Sequence, residues 1–156
     1  RIVSEEIDLL YIIEQVYNIY KQKAVNEKID LSLELNDNTD ICIIGDKDRI
    51  RQVIINILDN AIKYTPENGN ITVSVARIQK YVKIIITDTG KGISQKDLPH
   101  IKEKFYKADN NVRGTGIGLA VADEIIKMHS GELNISSEVG KGTAVEIILP
   151  IILKEN

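Results

Sequence analysis

The stretch DKDRIRQVIINILDNAIKY, residues 46–64, decides the fold. Ile50, Val53, Ile54, Ile57, Leu58, Ala61 and Ile62 recur at helical spacing and form one apolar stripe. Asp46 is placed to cap the helix, Gly45 breaks the strand before it, and Pro66 blocks its continuation. At about 100° per residue, Asn56, Asn60 and Lys63 fall on one flank of the stripe. Two amides and an ammonium on the edge of a buried face can look into a polar cleft while the stripe holds the helix on a sheet. Two solvated surface Asn would give the same pattern; the glycine-rich stretches downstream favour the cleft.

A chain of 156 residues is long enough for one compact domain. Trp is absent and Phe occurs once, so the core is expected to be Ile, Leu and Val. A net charge of −3 argues against a nucleic-acid partner. Cys42 is the only cysteine, which precludes an internal disulfide and fits a reducing, cytoplasmic compartment. One Cys and two His cannot build a Cys/His metal site. No apolar run is long enough to span a bilayer and no signal peptide is visible, so this chain is expected to make no direct membrane contact. The chain begins at Arg1 and its only Met is Met128; it is expected to be a piece of a longer protein whose own membrane anchoring stays open.

Upstream of the central helix, Asp8 to about Glu27 reads as a helix with Leu9, Ile13, Val16 and Tyr20 on one face. Leu31, Leu33 and Leu35 alternate as in a half-buried strand, and Ile41 to Ile44 is a short strand. Downstream, Ile71–Ile78 and Tyr81–Asp88 read as a tight hairpin turning at Gln79-Lys80. Asp88 to Gly114 has little periodicity beyond one helical turn near Gln95–Leu98; segments this long inside a compact domain are usually functional. Thr115 to His129 reads as a helix capped by Gly131, and Leu133–Ser137 and Thr143–Leu149 as closing strands. These elements predict an α+β fold: a two-layer α/β sandwich, three main helices on a mixed, mostly antiparallel sheet of about five strands.

Two glycine-rich stretches carry chemistry. DTGKG, residues 88–92, puts a carboxylate at a strand end and then two glycines that let backbone approach a flat ligand. That carboxylate can accept a hydrogen bond from an exocyclic amine, as adenine offers; alone, the motif better suits an Asx-turn with glycines for chain reversal. GTGIG, residues 114–118, opens a helix and exposes N–H groups at the positive dipole end, a phosphate cradle. It is neither a dinucleotide fingerprint, since no strand precedes it, nor a Walker loop. Between them, Lys102, Lys104, Lys107 and Arg113 make a basic segment suited to a lid over a polyphosphate, with Phe105 as its anchor.

In order and spacing, the runs NILDNAIKY (56–64), DTGKG (88–92), EKFY (103–106) and GTGIGL (114–119) resemble the N box, the two glycine boxes and the F box of the catalytic ATP-binding domain of sensor histidine kinases. The resemblance covers essentially the whole chain. It implies the Bergerat fold, with ATP and Mg²⁺ as cofactors. Asp88 would read the adenine amine, with Gly90, Gly92, Ile93 and Thr143 around it. Asn60 would hold Mg²⁺ with Asn56 beside it; Lys63 and Tyr64 would face the phosphates and nucleotide edge. Gly114, Thr115, Gly116, Gly118 and Leu119 would wrap the phosphates, with Phe105, Lys107 and Arg113 in the lid. Asn56, Lys63 and Lys107 would be the catalytic set. Three departures stand out: Lys102 where a Phe is usual, taken to remove part of the lid anchor, Lys107 where an Arg is usual, and a short lid between Asp109 and Gly114.

In hydrolytic relatives of that fold a Glu precedes the metal-binding Asn by four residues and activates water. Asn56 stands there, and an amide cannot act as a general base at neutral pH. The resemblance thus implies transfer of the γ-phosphoryl group to a His on a separate helical dimerisation domain. It also implies a response regulator downstream and a parent that is a bacterial sensor. A stand-alone ATPase or a non-catalytic nucleotide module remains the alternative. His100 and His129 sit in no acceptor motif, and His129 is expected to partner a helix C-terminus.

Overall fold

The computed structural model describes residues 3–36, 40–104, 106 and 118–153. In chain order they form β1 (Glu5–Asp8), α1 (Leu9–Asn26), β2 (Asp30–Leu35), β3 (Cys42–Gly45), α2 (Lys47–Tyr64), β4 (Asn70–Ile78), β5 (Tyr81–Asp88), a 3₁₀ turn at Leu98–His100, α3 (Gly118–Met128), β6 (Glu132–Glu138) and β7 (Gly142–Pro150). The main sheet has five strands in the order β2-β4-β5-β7-β6. Only β2 and β4 run parallel; every other neighbouring pair in this sheet is antiparallel. Three helices cover one face, so the expected α+β sandwich is what forms.

The stripe on α2 explains why this helix is central. All seven predicted positions, Ile50 to Ile62, are buried. β-Branched residues are mediocre helix formers, so packing rather than propensity holds the helix. Six large aliphatic side chains removed from water contribute roughly 10 kcal/mol or more gross, at about 1.5–3 kcal/mol each. Asp46 caps the helix as expected, its carboxylate accepting from the Arg49 N–H at 3.2 Å. On the far side, the Tyr20 hydroxyl of α1 donates to Asp59 of α2 at 2.7 Å and ties the two helices.

Three local expectations are corrected. Gly45 does not break β3; it is its last residue, paired with Glu5 of β1 in a separate two-stranded sheet. It is glycine because a Cβ there would lie 2.4 Å from the His129 ring. The helical turn after β5 falls at Leu98–His100, where Pro99 presets the backbone, rather than at Gln95–Leu98. The cap of α3 is a two-residue device. Ser130 takes the left-handed conformation (φ 61°), and the Gly131 N–H returns to the Ile126 carbonyl at 3.0 Å.

His129 does more than face a helix end. It is buried, its Nδ1 donates to the Ile125 carbonyl at 2.7 Å, and its Nε2 accepts the Asp46 N–H at 3.0 Å. The ring therefore joins the C-terminal end of α3 to the N-cap of α2. Among the described residues no helix is long and apolar enough to cross a membrane.

Candidate functional site

The site is built where β5 ends. Val82, Ile84, Ile86 and Asp88 are the buried alternate positions of a central strand, so Asp88 continues an apolar row under the helices. Its neighbours across the sheet are Ile71 of β4 and Thr143 of β7. The carboxylate is only 8% exposed. Its Oδ1 accepts the Gly90 N–H at 2.9 Å and the Thr143 N–H at 3.3 Å. Burial pushes the Asp88 carboxyl above the usual carboxylate value, and the two N–H groups pull part of the way back. The Gly90 bond closes an Asx-turn, the turn reading of DTGKG. Both donors among the described residues meet Oδ1, and none of them meets Oδ2.

The glycines of this turn answer to the protein's own backbone. A Cβ on Gly90 would lie 2.4 Å from the Tyr64 carbonyl oxygen, and one on Gly92 (φ 78°) 2.2 Å from that of Glu138. The end of α2 and the β6–β7 turn thus close on the 88–92 turn from two sides. The Gly140 N–H bonds the Lys91 carbonyl at 2.8 Å, and the Ile93 N–H bonds the Ser137 hydroxyl at 2.7 Å. Lys91 Nζ lies 5.5 Å over the Tyr64 ring. Asp88, Gly90, Gly92, Ile93, Thr143 and Tyr64 are therefore brought together at one sheet end.

A second cluster forms where α2 passes the start of α3. Asn56 Nδ2 donates to the Gly118 carbonyl at 3.3 Å, and Gln52 Nε2 donates to Asn56 Oδ1 at 2.6 Å. A Cβ on Gly118 would lie 3.9 Å from that of Asn56. Asn60 is half-buried one turn further along, Lys63 is exposed, and Leu119 packs on the core. Among the described residues no three His, Cys, Asp or Glu side chains group to hold a metal. Phe105, Lys107, Arg113, Gly114, Thr115 and Gly116 lie outside the described residues.

A family described as histidine kinase-, DNA gyrase B-, and HSP90-like ATPase matches residues 45–152. The chain belongs to this ATPase family. It is similar to sporulation kinase C of Bacillus subtilis, at 36% identity over 90% of this chain and 32% of the relative. It thus spans about a third of the length of that curated relative. Among solved structures it is similar to the mycobacterial sensor histidine kinase MprB, at 27% identity and a TM-score of 0.83, covering 96% of this chain and 98% of that one. It is also similar to histidine kinase ThkA in complex with the response regulator protein TrrA, at 27% identity and a TM-score of 0.79, covering 94% of this chain and 41% of that one.

The segment between the two clusters corrects the expectation for this ATPase-family chain at Lys102. Its ammonium bonds Asp123 of α3 at 3.2 Å and the Leu133 carbonyl at 3.1 Å. The position usually held by Phe is thus an anchor after all, with a charged tie in place of an apolar one. Tyr106 donates to Asp97, Ser94 bonds the same carboxylate at 2.9 Å, and His100 stacks on Tyr106 with centroids 5.3 Å apart. Sequence reasoning missed Ser137 and Gln52. Ser137 carried no signal, since its role depends on β6 lying beside the 92–93 backbone. Gln52 stands four residues before Asn56, a spacing that could have raised it.

Proposed function

We propose that this chain is the ATP-binding catalytic domain of a sensor histidine kinase, one domain of a longer protein. It passes the γ-phosphoryl group of ATP to a His on a separate helical domain. The observation that carries the reading is Asn56. Its carboxamide sits against Gly118, where the phosphate cradle ends, and both of its ends are held by hydrogen bonds. An amide so placed can bind and orient but cannot deprotonate water. A neutral imidazole acceptor needs no such base.

In this reading Asp88 Oδ2 accepts from the adenine amine, and Gly90, Gly92, Ile93 and Thr143 form the wall around the base. Tyr64 lies at the nucleotide edge. The N-terminal end of α3, with Gly114, Thr115, Gly116, Gly118 and Leu119, receives the phosphates. Lys63, Lys107 and Arg113 supply positive charge, and Phe105 anchors the segment that carries it. Mg²⁺ fits the donor chemistry: a carboxamide oxygen from Asn60, the phosphates and several waters suit a hard ion that keeps part of its hydration shell. When bound, the ion neutralises charge on the phosphate oxygens during transfer. The likeness to ThkA, solved with a response regulator, supports a response regulator as the eventual recipient in the parent system.

The test is direct transfer. The chain is mixed with a His-bearing helical dimerisation domain of a cognate kinase and γ-labelled ATP. Base-stable, acid-labile label on the added domain is expected, with none on this chain. Free phosphate released faster than about one per second, an ordinary enzyme rate, would overturn the kinase reading in favour of an ATPase. Absence of both label and hydrolysis with nucleotide still bound would leave a binding module.

A further inference from the structure

A carboxamide has two flip states that differ in which end presents an acceptor and which a donor; its neighbours decide between them. At Asn56 the Gly118 carbonyl decides: it can only accept, so Nδ2 donates to it at 3.3 Å and Oδ1 is left to face Gln52, whose Nε2 donates at 2.6 Å. The reverse flip would set two carbonyls against each other at Gly118. Gly118 is the first residue of α3, so the Asn56 amide is the tie between α2 and the helix start that faces the phosphates. An amide oxygen has two lone pairs. Gln52 takes one, and the other stays available to a cation or to a water in its shell. Gln52 itself is exposed and sits one helical turn before Asn56, so it buries no surface that the fold depends on.

We propose that Gln52 is a positioning residue for nucleotide binding: its side-chain amide holds the Asn56 carboxamide in place through Oδ1 and thereby sets how tightly the chain holds a Mg²⁺-nucleotide. The inference rests on the proposed function and names a residue outside the set expected from the sequence. A bland surface pair at this spacing would contribute a few tenths of a kcal/mol to the helix and nothing to ligand binding.

The experiment is calorimetric titration of the 156-residue chain with a non-hydrolysable ATP analogue, once with Mg²⁺ and once with EDTA. It is run on the parent, Gln52→Met, Asn56→Ala and the double variant. Met keeps the unbranched stem and helix propensity while removing the donor. Loss of one orienting hydrogen bond should lower affinity in Mg²⁺ about fivefold in Gln52→Met and leave the EDTA value within about twofold. In the Asn56→Ala background, Gln52→Met should have no further effect, because the group it positions is gone. Thermal melting of Gln52→Met should match the parent within about 1–2 °C. A Gln52→Met chain with the parent's full Mg²⁺-dependent gain, or losses that simply add in the double variant, overturns the inference and leaves the proposed function standing. A parent that binds no nucleotide with either buffer overturns both.

Discussion

Asp88→Asn should make the chain a poorer nucleotide binder without weakening the fold. In the parent the carboxylate is 8% exposed and burial raises its pKa. The folded chain therefore holds that proton more tightly than the unfolded chain does. By linkage, ionisation of Asp88 opposes folding: stability falls as pH rises from the unfolded value through the folded one, and the penalty is fully present above both. Asn removes this penalty at neutral pH. Its oxygen can still accept from Gly90 and Thr143, now at 2.9 and 3.3 Å, and its NH₂ takes the place of Oδ2. That NH₂ presents a donor where adenine also presents a donor. A hydrogen bond to a charged acceptor contributes about 1.5–3 kcal/mol, so ADP affinity should drop at least about tenfold. The melting temperature should stay level or rise by about 2–4 °C per kcal/mol relieved. Calorimetry with ADP and GDP, beside a thermal melt at pH 7, reads both effects. A variant that melts several degrees lower would refute the burial argument. Equal ADP affinity in variant and parent, or GDP binding as well as ADP to the parent, would refute Asp88 as the base reader.

Gly142→Ala should abolish nucleotide binding or folding, since φ is 130° and a Cβ would lie 1.9 Å from the Asp88 carbonyl oxygen; soluble, parent-like melting would contradict that packing. Asn60→Ala should remove phosphoryl transfer to an added acceptor domain while retaining adenosine binding, and unchanged transfer would exclude Asn60 as the metal ligand. His129→Ala should destabilise the chain by about 3 kcal/mol in urea unfolding, from two lost hydrogen bonds of about 1 kcal/mol each plus the ring's burial; a loss under about 0.5 kcal/mol would deny the bridge its structural role. Lys102→Met should lower the melting temperature, because among the described residues Asp123 would keep only Lys127 as an ion-pair partner, at 2.9 Å, and pairing it with Asp123→Leu should recover much of the loss.

The sequence made α2 legible because its signal is local: a seven-residue stripe, an N-cap and a Pro stop all lie within twenty-one positions, and each was found where expected. The β4–β5 hairpin was legible for the same reason, two alternating runs closed by Gln79 in the left-handed region (φ 55°). β1 was missed because four residues, EEID, carry no alternation to speak of; only pairing with β3 makes them a strand. The site divides along the same line. Asp88 and its glycines were flagged by composition, but a further reason for Gly90 and Gly92 was not visible there. Their missing side chains make room first for the backbones of Tyr64 and Glu138, which come from elements remote in sequence. Lys102 was misjudged likewise, since nothing near it in the chain announces Asp123 or the Leu133 carbonyl.

The two clusters differ in how they are held, and that difference bears on what each can do. The Asp88 end is locked by backbone: paired strands on both sides, two N–H groups on one oxygen, and glycines packed against carbonyls from α2 and β6. Such a site needs little ordering on binding, which favours affinity and base selectivity fixed in advance. Where α2 meets α3, Asn56 reaches α3 through one side-chain hydrogen bond, to the Gly118 carbonyl, and is held within α2 by the exposed Gln52. A net contribution of about 1 kcal/mol for the Gly118 bond is small enough to give way to a bound phosphate or cation, while Gln52 keeps Asn56 oriented within α2. At the other end of α3, the buried His129 ring fastens that helix to the cap of α2. The pair is thus pinned away from the phosphates and adjustable next to them. On the proposed function the chain reads adenine at its rigid end and gives up a phosphoryl group at its adjustable one, and a rigid general base at position 56 would serve water better than a histidine.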